Sequence, residues 1–184
     1  KGTFDETITV YPQKDYRGFL TPPEQEVTLN SGLSTVDFYY IRNSYNLTWN
    51  FNGGTPINDY TESGQVRFGT PLVAPVLNKA GHSYTWDKEI APTMPDEVLE
   101  YTAYWTANSY TVRFSEEGLG TITVTYGSPY GDLPVVSKRG HTFKGWYTQS
   151  GKQITPNSEV DIPEDHVLYA HWTVNTYTLN WDLN

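Results

Sequence analysis

The sequence contains no cysteine and only one methionine in 184 residues. Without cysteine the chain can form neither disulfides nor thiolate metal sites, so its stability must come from packing. The four histidines lack the short spacing typical of zinc ligands. The acidic stretch at residues 157–166 does not have the spacing of an EF-hand calcium loop. We therefore expect no metal ion and no cofactor.

Positive charge is also scarce. The chain has 12 Lys and Arg against 21 Asp and Glu, a net charge of −9 spread evenly along its length. The longest basic run is Lys138-Arg139, which is far short of the basic stripe that a phosphate backbone or an anionic membrane surface requires. No apolar run approaches the roughly 18 residues of a membrane helix. We expect no nucleic-acid partner and no membrane insertion.

Motifs for catalysis are missing as well. The acidic pairs, such as Glu116-Glu117, lie in polar, turn-like surroundings where solvation is their ordinary role. No G-x-S-x-G motif accompanies the histidines, and Gly118-Leu119-Gly120 lacks the further glycine and lysine of a phosphate-binding loop. His82 and His141 follow a glycine at equivalent positions, which indicates a repeated structural role. The sequence predicts a protein that is not an enzyme.

Aromatic residues are abundant, at 15% of the chain with 15 Tyr and 6 Trp. One large ring buries about 150–250 Å² when it enters a core. Small modules bury only part of their surface, so large rings would supply much of their core. Most of the aromatic residues are therefore expected to be core residues.

An internal repeat organises the chain, and such a repeat must be identified before any single motif is interpreted. The sequence "SYNLTW" at 44–49 returns as "SYTVRF" at 109–114 and as "TYTLNW" at 176–181. Further anchors recur in the same order, including Gly81-His82 and Gly140-His141. The repeats predict these boundaries: a divergent or truncated leading module at 1–42, repeat 1 at 43–107, repeat 2 at 108–174, and the opening strand of a further repeat at 175–184.

Each repeat has the pattern of a small β module. Residues 110–114 and 121–126 alternate between polar and apolar or aromatic types, which predicts a pair of half-buried strands. A third strand follows Gly140 and is interrupted by Gly145, and residues 167–172 close the unit. We predict a mainly β fold of tandem modules with about four strands each, at most a short helical turn in each, arranged end to end.

Repeat 2 resembles the Listeria–Bacteroides repeat, also known as the B repeat of the internalins. It carries "SYTVRF", "VTYGSPYGDLP", "RGHTFKGWYTQSGKQIT" and "DHVLYAHW" in order over residues 108–174. Repeat 1 is a weaker member, because "GHSYTW" lacks the glycine that precedes Trp146. Residues 1–42, with "YRGFLTPPEQEVTL", loosely resemble a mucin-binding-type module. The resemblance implies β-grasp-like modules in tandem on secreted or surface proteins of bacteria, often adhesins, without enzyme activity and without ligand residues to carry over.

Three functions remain open from the sequence. The first is a non-catalytic stalk or adhesion segment of a secreted or cell-surface bacterial protein, whose only neighbours are modules of the same chain. The second is a carbohydrate- or mucin-binding module that takes a host or matrix glycan; Tyr130, Tyr147 and Gln149 are the candidate ligand-binding residues. The third is a protein-binding module that accepts a partner through exposed strand edges. We expect a monomer outside the cell or at its surface.

Overall fold

The computed structural model describes residues 6–30 and 35–181. Within these residues the chain is built from strands and contains no helix. It falls into two compact units, Lys1–Leu77 with Thr85–Tyr104 and Asn78–Tyr84 with Trp105–Asn184. The prediction of a mainly β protein made of small modules is confirmed, while the repeat boundaries stay a prediction.

The strands are short and follow one another along the chain. They are β1 (Thr7–Val10), β2 (Phe19–Leu20), β3 (Gln25–Thr28), β4 (Ile41–Arg42), β5 (Ser44–Asn50), β6 (Thr55–Pro56), β7 (Ser63–Arg67), β8 (Leu77–Asn78), β9 (His82–Trp86), β10 (Leu99–Ala107), β11 (Ser109–Phe114), β12 (Thr121–Thr125), β13 (His141–Tyr147), β14 (Gln153–Ile154) and β15 (His166–Val174).

Two larger sheets share one strand order. The first sheet runs β7-β5-β10-β9 and the second runs β12-β11-β15-β13-β14. In the first sheet β5 pairs antiparallel with its hairpin partner β7 and parallel with β10. In the second sheet β11 pairs in the same way with β12 and β15. The additional strand β14 pairs with β13. The order of the four main strands therefore recurs in the two sheets.

The loops that follow each hairpin repeat the same backbone hydrogen bonds. The matching N–H to C=O pairs are Gly69 to Met94 (2.8 Å) and Gly127 to Val160 (2.9 Å), Met94 to Thr70 (2.8 Å) and Val160 to Ser128 (2.9 Å), and Leu72 to Pro92 (3.1 Å) and Tyr130 to Ser158 (2.9 Å). These bonds join each loop to a later loop of the same repeat, at residues 92–94 or 158–160. Among the described residues of both loops there is no helical turn.

Buried rings dominate both cores. In the first unit Trp49, which is 2% exposed, contacts the rings of Trp86 and Tyr101 at centroid distances of 5.1 Å and 4.8 Å. In the second unit Trp146, also 2% exposed, contacts Phe114 at 4.7 Å and is surrounded by aliphatic residues. At roughly 25 cal/mol per Å², a ring that buries about 200 Å² contributes on the order of 5 kcal/mol. A few rings can therefore stabilise a module of this size.

A β-bulge in β13 keeps Phe143 and Trp146 on the core face. Phe143 pairs with Trp172 and Gly145 pairs with His171, so Lys144 is the extra residue in the ladder. The extra residue compensates for the three-residue step from Phe143 to Trp146, which plain alternation would place on opposite faces. In β9 the corresponding Tyr84 and Trp86 are two residues apart, and no extra residue is needed. The predicted interruption at Gly145 is therefore a bulge within one continuous strand.

The leading segment contributes little core of its own. It forms two small antiparallel sheets, β1 with β3 and β2 with β4. Among its described residues no apolar side chain is fully buried. Instead, Phe19 packs edge-on against Phe68 at 5.7 Å and Arg17 forms a salt bridge with Asp96. This segment is stabilised by contacts with the rest of the first unit.

The opening strand expected at 175–184 is not formed over its described part, residues 175–181. Tyr177 and Trp181 are 80% and 81% exposed, and residues 182–184 lie outside the described residues. Side-chain alternation predicts where a strand can form, but a strand also needs a neighbour for its backbone hydrogen bonds. No described strand pairs with this segment, so its described part forms no strand in the 184-residue chain, and the opening of a further repeat at 175 stays a prediction.

Candidate functional site

The three residues predicted to bind a ligand lie in quite different surroundings. Tyr130 is only 4% exposed and belongs to the core of the second unit. Its hydroxyl is 2.8 Å from Nε2 of His166. Burial, together with the charge of Asp161, raises the pKa of Tyr130 to about 12. The expectation that Tyr130 is accessible was wrong, because the loop after Pro129 folds back over the sheet.

Tyr147 lies on the outer face of the second sheet. It is half-buried, and its ring stacks on that of His171 with 4.0 Å between centroids and 11° between planes. On the neighbouring strand β15 its register partner is Tyr169. Since Trp146 points into the core, its neighbour Tyr147 points outward by strand alternation. Tyr147 therefore belongs to an aromatic cluster on the outer face, which also contains Tyr169 and His171.

Gln149 is exposed in the tight turn that joins β13 to β14. Buried Thr148 organises this turn, because its hydroxyl accepts a hydrogen bond from the N–H of Lys152 (3.1 Å) and lies 2.9 Å from the hydroxyl of Ser150. The N–H of Gly151 donates to the carbonyl of Thr148 at 3.0 Å. The turn thus presents the amide of Gln149 from a rigid base.

Two shallow depressions flank Tyr169, whose side chain is 38% exposed. One has a volume of about 540 Å³ and the other about 590 Å³. Both are lined by Gln149 and Tyr169; the first also contains Glu164, Asp165 and His166, and the second His171. The structure therefore brings Gln149 beside Tyr169 and the histidine that Tyr147 stacks on. We refer to Tyr147, Gln149, Tyr169 and His171 as the outer-face cluster.

Several groups on the rim of the first depression already have partners within the chain. Asp165 accepts a hydrogen bond from the N–H of Thr111 at 2.8 Å. The ring of His166 lies 2.9 Å from the carbonyl of Glu164 through Nδ1 and contacts Tyr130 through Nε2. These bonds hold the rim in place.

Sequence reasoning missed Tyr169 and His171. The signal was present, because Leu168 is buried and alternation along β15 then directs Tyr169 and His171 to the opposite face. Three of the four histidines place Nδ1 close to the carbonyl two residues earlier, His82 at 2.7 Å and His141 and His166 at 2.9 Å. His82 and His141 do so at equivalent positions after a glycine, which fits the repeated structural role that the sequence indicated.

Metal ions have no evident site in the part of the chain that the structure describes, where no three His, Asp or Glu side chains gather to hold one. Over the same residues, no helix has the length and apolar character needed to span a bilayer.

Comparison with known proteins identifies the repeat. The model of the Listeria-Bacteroides repeat domain matches residues 110–171. These residues form a Listeria-Bacteroides repeat. The match begins at the second residue of β11 and ends within β15, so it covers the main strands of the second sheet.

Three relatives have sequence similarity to this chain. The chain is 29% identical over 158 residues to a protein of Evansella cellulosilytica named as a membrane protein, covering 77% of this chain and 23% of that one. It is 30% identical over 95 residues to a protein of the same organism named as a Gly-rich membrane protein, covering 50% and 11%. It is 27% identical over 139 residues to Internalin H of Listeria monocytogenes, covering 71% and 25%.

The chain therefore spans about a quarter or less of the length of these relatives. The family and the relatives together point to a surface-protein repeat module rather than an enzyme, located outside the cell or at its surface.

Proposed function

We propose that this chain is a non-catalytic tandem repeat segment of a bacterial surface protein, and that it acts as a stalk or adhesive spacer. The observation that carries the proposal is the recurrence of one strand order and one set of loop hydrogen bonds in the two larger sheets. A fold that repeats its backbone scaffold while its outer faces differ is suited to setting a length. The strand order is also that of a β-grasp fold, although the described residues lack the helix that a β-grasp fold contains.

The short connections support a stiff segment. Strand β10 ends at Ala107 and β11 begins at Ser109, so one residue separates the closing strand of one repeat from the opening strand of the next. A flexible tether needs a longer run of residues without backbone hydrogen bonds. The backbone N–H of Asn108, in this connection, is bonded to the carbonyl of Gly81 at 2.8 Å.

The spacer proposal predicts how height above a surface depends on repeat number. The chain is placed between a cell-wall anchor and an epitope, with zero, one or two additional copies of residues 108–174, and the distance of a fluorescent antibody from the cell surface is measured. A stiff spacer raises the epitope by equal steps. A flexible chain would raise it only as the square root of its length, and that result would overturn the proposal.

A second candidate function is glycan binding at the outer-face cluster. The supporting observation is the combination of an accessible ring, Tyr169, with the amide of Gln149 in two adjacent depressions. Aromatic rings pack against sugar faces while amides and carboxylates bind hydroxyl groups. The ligand would be a neutral or basic glycan, because Glu164 and Asp165 make the first depression acidic.

A glycan and mucin array with the full chain tests this candidate. Saturable binding that is lost in Tyr169→Ala and Gln149→Ala supports it. The matched control is Tyr104→Ala, because Tyr104 is 59% exposed on β10 at the position equivalent to His171. Binding that survives both cluster substitutions, or the absence of binding, would rule out a glycan site at the cluster and leave the spacer as the remaining function.

A further inference from the structure

Three turns of the chain share one geometry. Their central glycines have positive φ angles, and each glycine carbonyl accepts a hydrogen bond from the N–H of an asparagine that follows a closing strand or segment. The pairs are Gly18 (φ 80°) with Asn43 at 2.9 Å, Gly81 (φ 69°) with Asn108 at 2.8 Å, and Gly140 (φ 73°) with Asn175 at 2.8 Å. The first pair lies in the first compact unit and the other two lie in the second.

An aromatic ring covers the first two of these glycines. The ring of Phe68 lies so close to Gly18, and that of Tyr126 so close to Gly81, that an added Cβ would overlap the ring. The residue after each glycine also contacts the same ring edge-on: Phe19 at 5.7 Å and 71°, His82 at 5.5 Å and 73°. Both glycines are buried as a result.

The covering residues occupy equivalent positions. Phe68 and Tyr126 each follow the second strand of a hairpin and precede the equivalent Gly69 and Gly127. Their backbone N–H groups donate to the carbonyls of Asn43 (2.8 Å) and Asn108 (2.9 Å). In both cases the N–H of one asparagine donates to the glycine carbonyl, and the carbonyl of the same asparagine accepts a hydrogen bond from the residue that carries the ring. The asparagine thus joins the turn to the hairpin that follows it.

The third glycine, Gly140, has the hydrogen bond to an asparagine but not the covering ring. The N–H of Asn175 already donates to Gly140, and the side chain of Asn175 accepts a hydrogen bond from the hydroxyl of Thr142 at 2.7 Å. However, an added Cβ at Gly140 would meet no atom within 4 Å, and Gly140 is only half-buried. His141 contacts Trp172 of its own sheet at 6.5 Å. No described ring covers the glycine.

We propose that Gly140, His141 and Asn175 form the docking site for a phenylalanine or tyrosine ring of a further repeat of this family, one that opens at Asn175. The occupant follows from the two filled sites, in which the ring always comes from the hairpin opened by the bonded asparagine. Residues 176–181 also carry the opening-strand sequence of such a hairpin. This inference rests on the proposed tandem function and specifies the contact by which repeats are joined.

An extended chain tests the inference. Residues 1–174 are followed by a second copy of residues 108–184, so that the copied asparagine takes the place of Asn175 and the copied tyrosine can reach Gly140. The imidazole protons of His141 and the amide of Gly140 are followed by NMR in the 184-residue chain and in the extended chain. We expect both to shift in the extended chain, because the copied tyrosine ring lies against them, and we expect the His141 signals to approach those of His82.

Two matched substitutions make the test specific. Replacing the copied tyrosine by serine should return the Gly140 and His141 signals to their positions in the shorter chain. The Tyr126→Ser substitution in the original repeat should instead move the Gly81 and His82 signals. Unchanged Gly140 and His141 signals beside a folded additional repeat would overturn the inference, as would an additional repeat that stays unfolded. The proposed spacer function is judged separately, by the height measurement.

Discussion

At the scale of single residues, the turns at Gly81 and Gly140 share one backbone geometry but should respond differently to a glycine-to-alanine substitution. Both have φ angles in the left-handed region, 69° and 73°. A ring covers Gly81, and none of the described rings covers Gly140. An alanine would therefore strain the backbone at both positions, whereas its Cβ would overlap a ring only at position 81.

We predict that Gly140→Ala lowers the free energy of unfolding by about 1 kcal/mol, the usual cost of a left-handed alanine. Gly81→Ala should cost roughly 1–3 kcal/mol more, because its Cβ must displace the ring of Tyr126. Both residues lie in the second compact unit, so urea denaturation followed by fluorescence compares them in the same transition. Equal losses would contradict the close packing of Tyr126 on Gly81.

Tyr130 gives a pH prediction with a definite sign. Burial raises its pKa from 10.0 to about 12, so the folded state holds the phenol proton more tightly than the unfolded state does. The resulting stability is fully present below pH 10 and is lost as the pH rises from about 10 to about 12. Tyrosinate absorbance should show one late-titrating tyrosine in the folded chain.

The Tyr130→Phe variant is the control for this titration. It should lose the late-titrating signal and the part of the alkaline destabilisation that Tyr130 causes. At neutral pH it should cost about 0.5–1.5 kcal/mol, because the hydrogen bond to His166 is removed. The absence of a late-titrating tyrosine from the parent chain would show that Tyr130 is not buried.

The sequence could not reveal that Tyr130 is buried, since its neighbours Pro129 and Gly131 mark a turn. Turn residues usually lie at the surface. Here the whole loop is bonded back to residues 156–160, including Tyr130 N–H to Ser158 at 2.9 Å. Contacts of this kind depend on residues far along the chain, which local patterns do not specify.

At the scale of elements, strand β13 shows how one inserted residue is accommodated. Its bulge at Lys144 restores the alternation that β9 has without any insertion. Gly145, with φ of 127°, supplies a conformation that side-chain-bearing residues rarely adopt. Repeat 1 can omit the bulge because its two rings are already two residues apart.

This comparison predicts opposite outcomes for two deletions. Deleting Lys144 alone should leave Phe143 and Trp146 on the core face, as Tyr84 and Trp86 are in β9, with a small loss of stability. Deleting Lys144 together with Gly145 should turn Trp146 outward and cost about 3–5 kcal/mol, the loss typical of removing a buried tryptophan. Urea denaturation and the tryptophan emission maximum measure both effects. Equal costs for the two deletions would contradict the bulge assignment.

Alternation identified the main strands of each repeat, because residues such as Val112 and Leu168 are buried with regular spacing. It did not identify the two-residue strands β6, β8 and β14, since two residues carry no period. It also predicted a strand at 175–184; over the described part, residues 175–181, the pattern is present and a partner strand is not. Periodicity therefore predicts the capacity of a segment to pair, and pairing itself depends on the rest of the chain.

At the scale of the whole molecule, the sequence repeat was the most informative feature. It predicted tandem β modules with about four strands each, and the two larger sheets indeed share one order of four main strands. The outer-face cluster was only partly predictable, because Gln149 and Tyr169 come together through the turn after β13 and the pairing of β13 with β15. A strand order that recurs from repeat to repeat is what the spacer account requires.

Solution scattering from the 184-residue chain and from the chain extended by one copy of residues 108–174 tests the central claim most directly. A compact module of this length has a diameter of roughly 25–30 Å. The account predicts that the maximum dimension grows by about that amount while the scattering remains that of a rigid, elongated particle. An unchanged maximum dimension, or scattering typical of a flexible chain, would contradict the proposal that these repeats form a spacer.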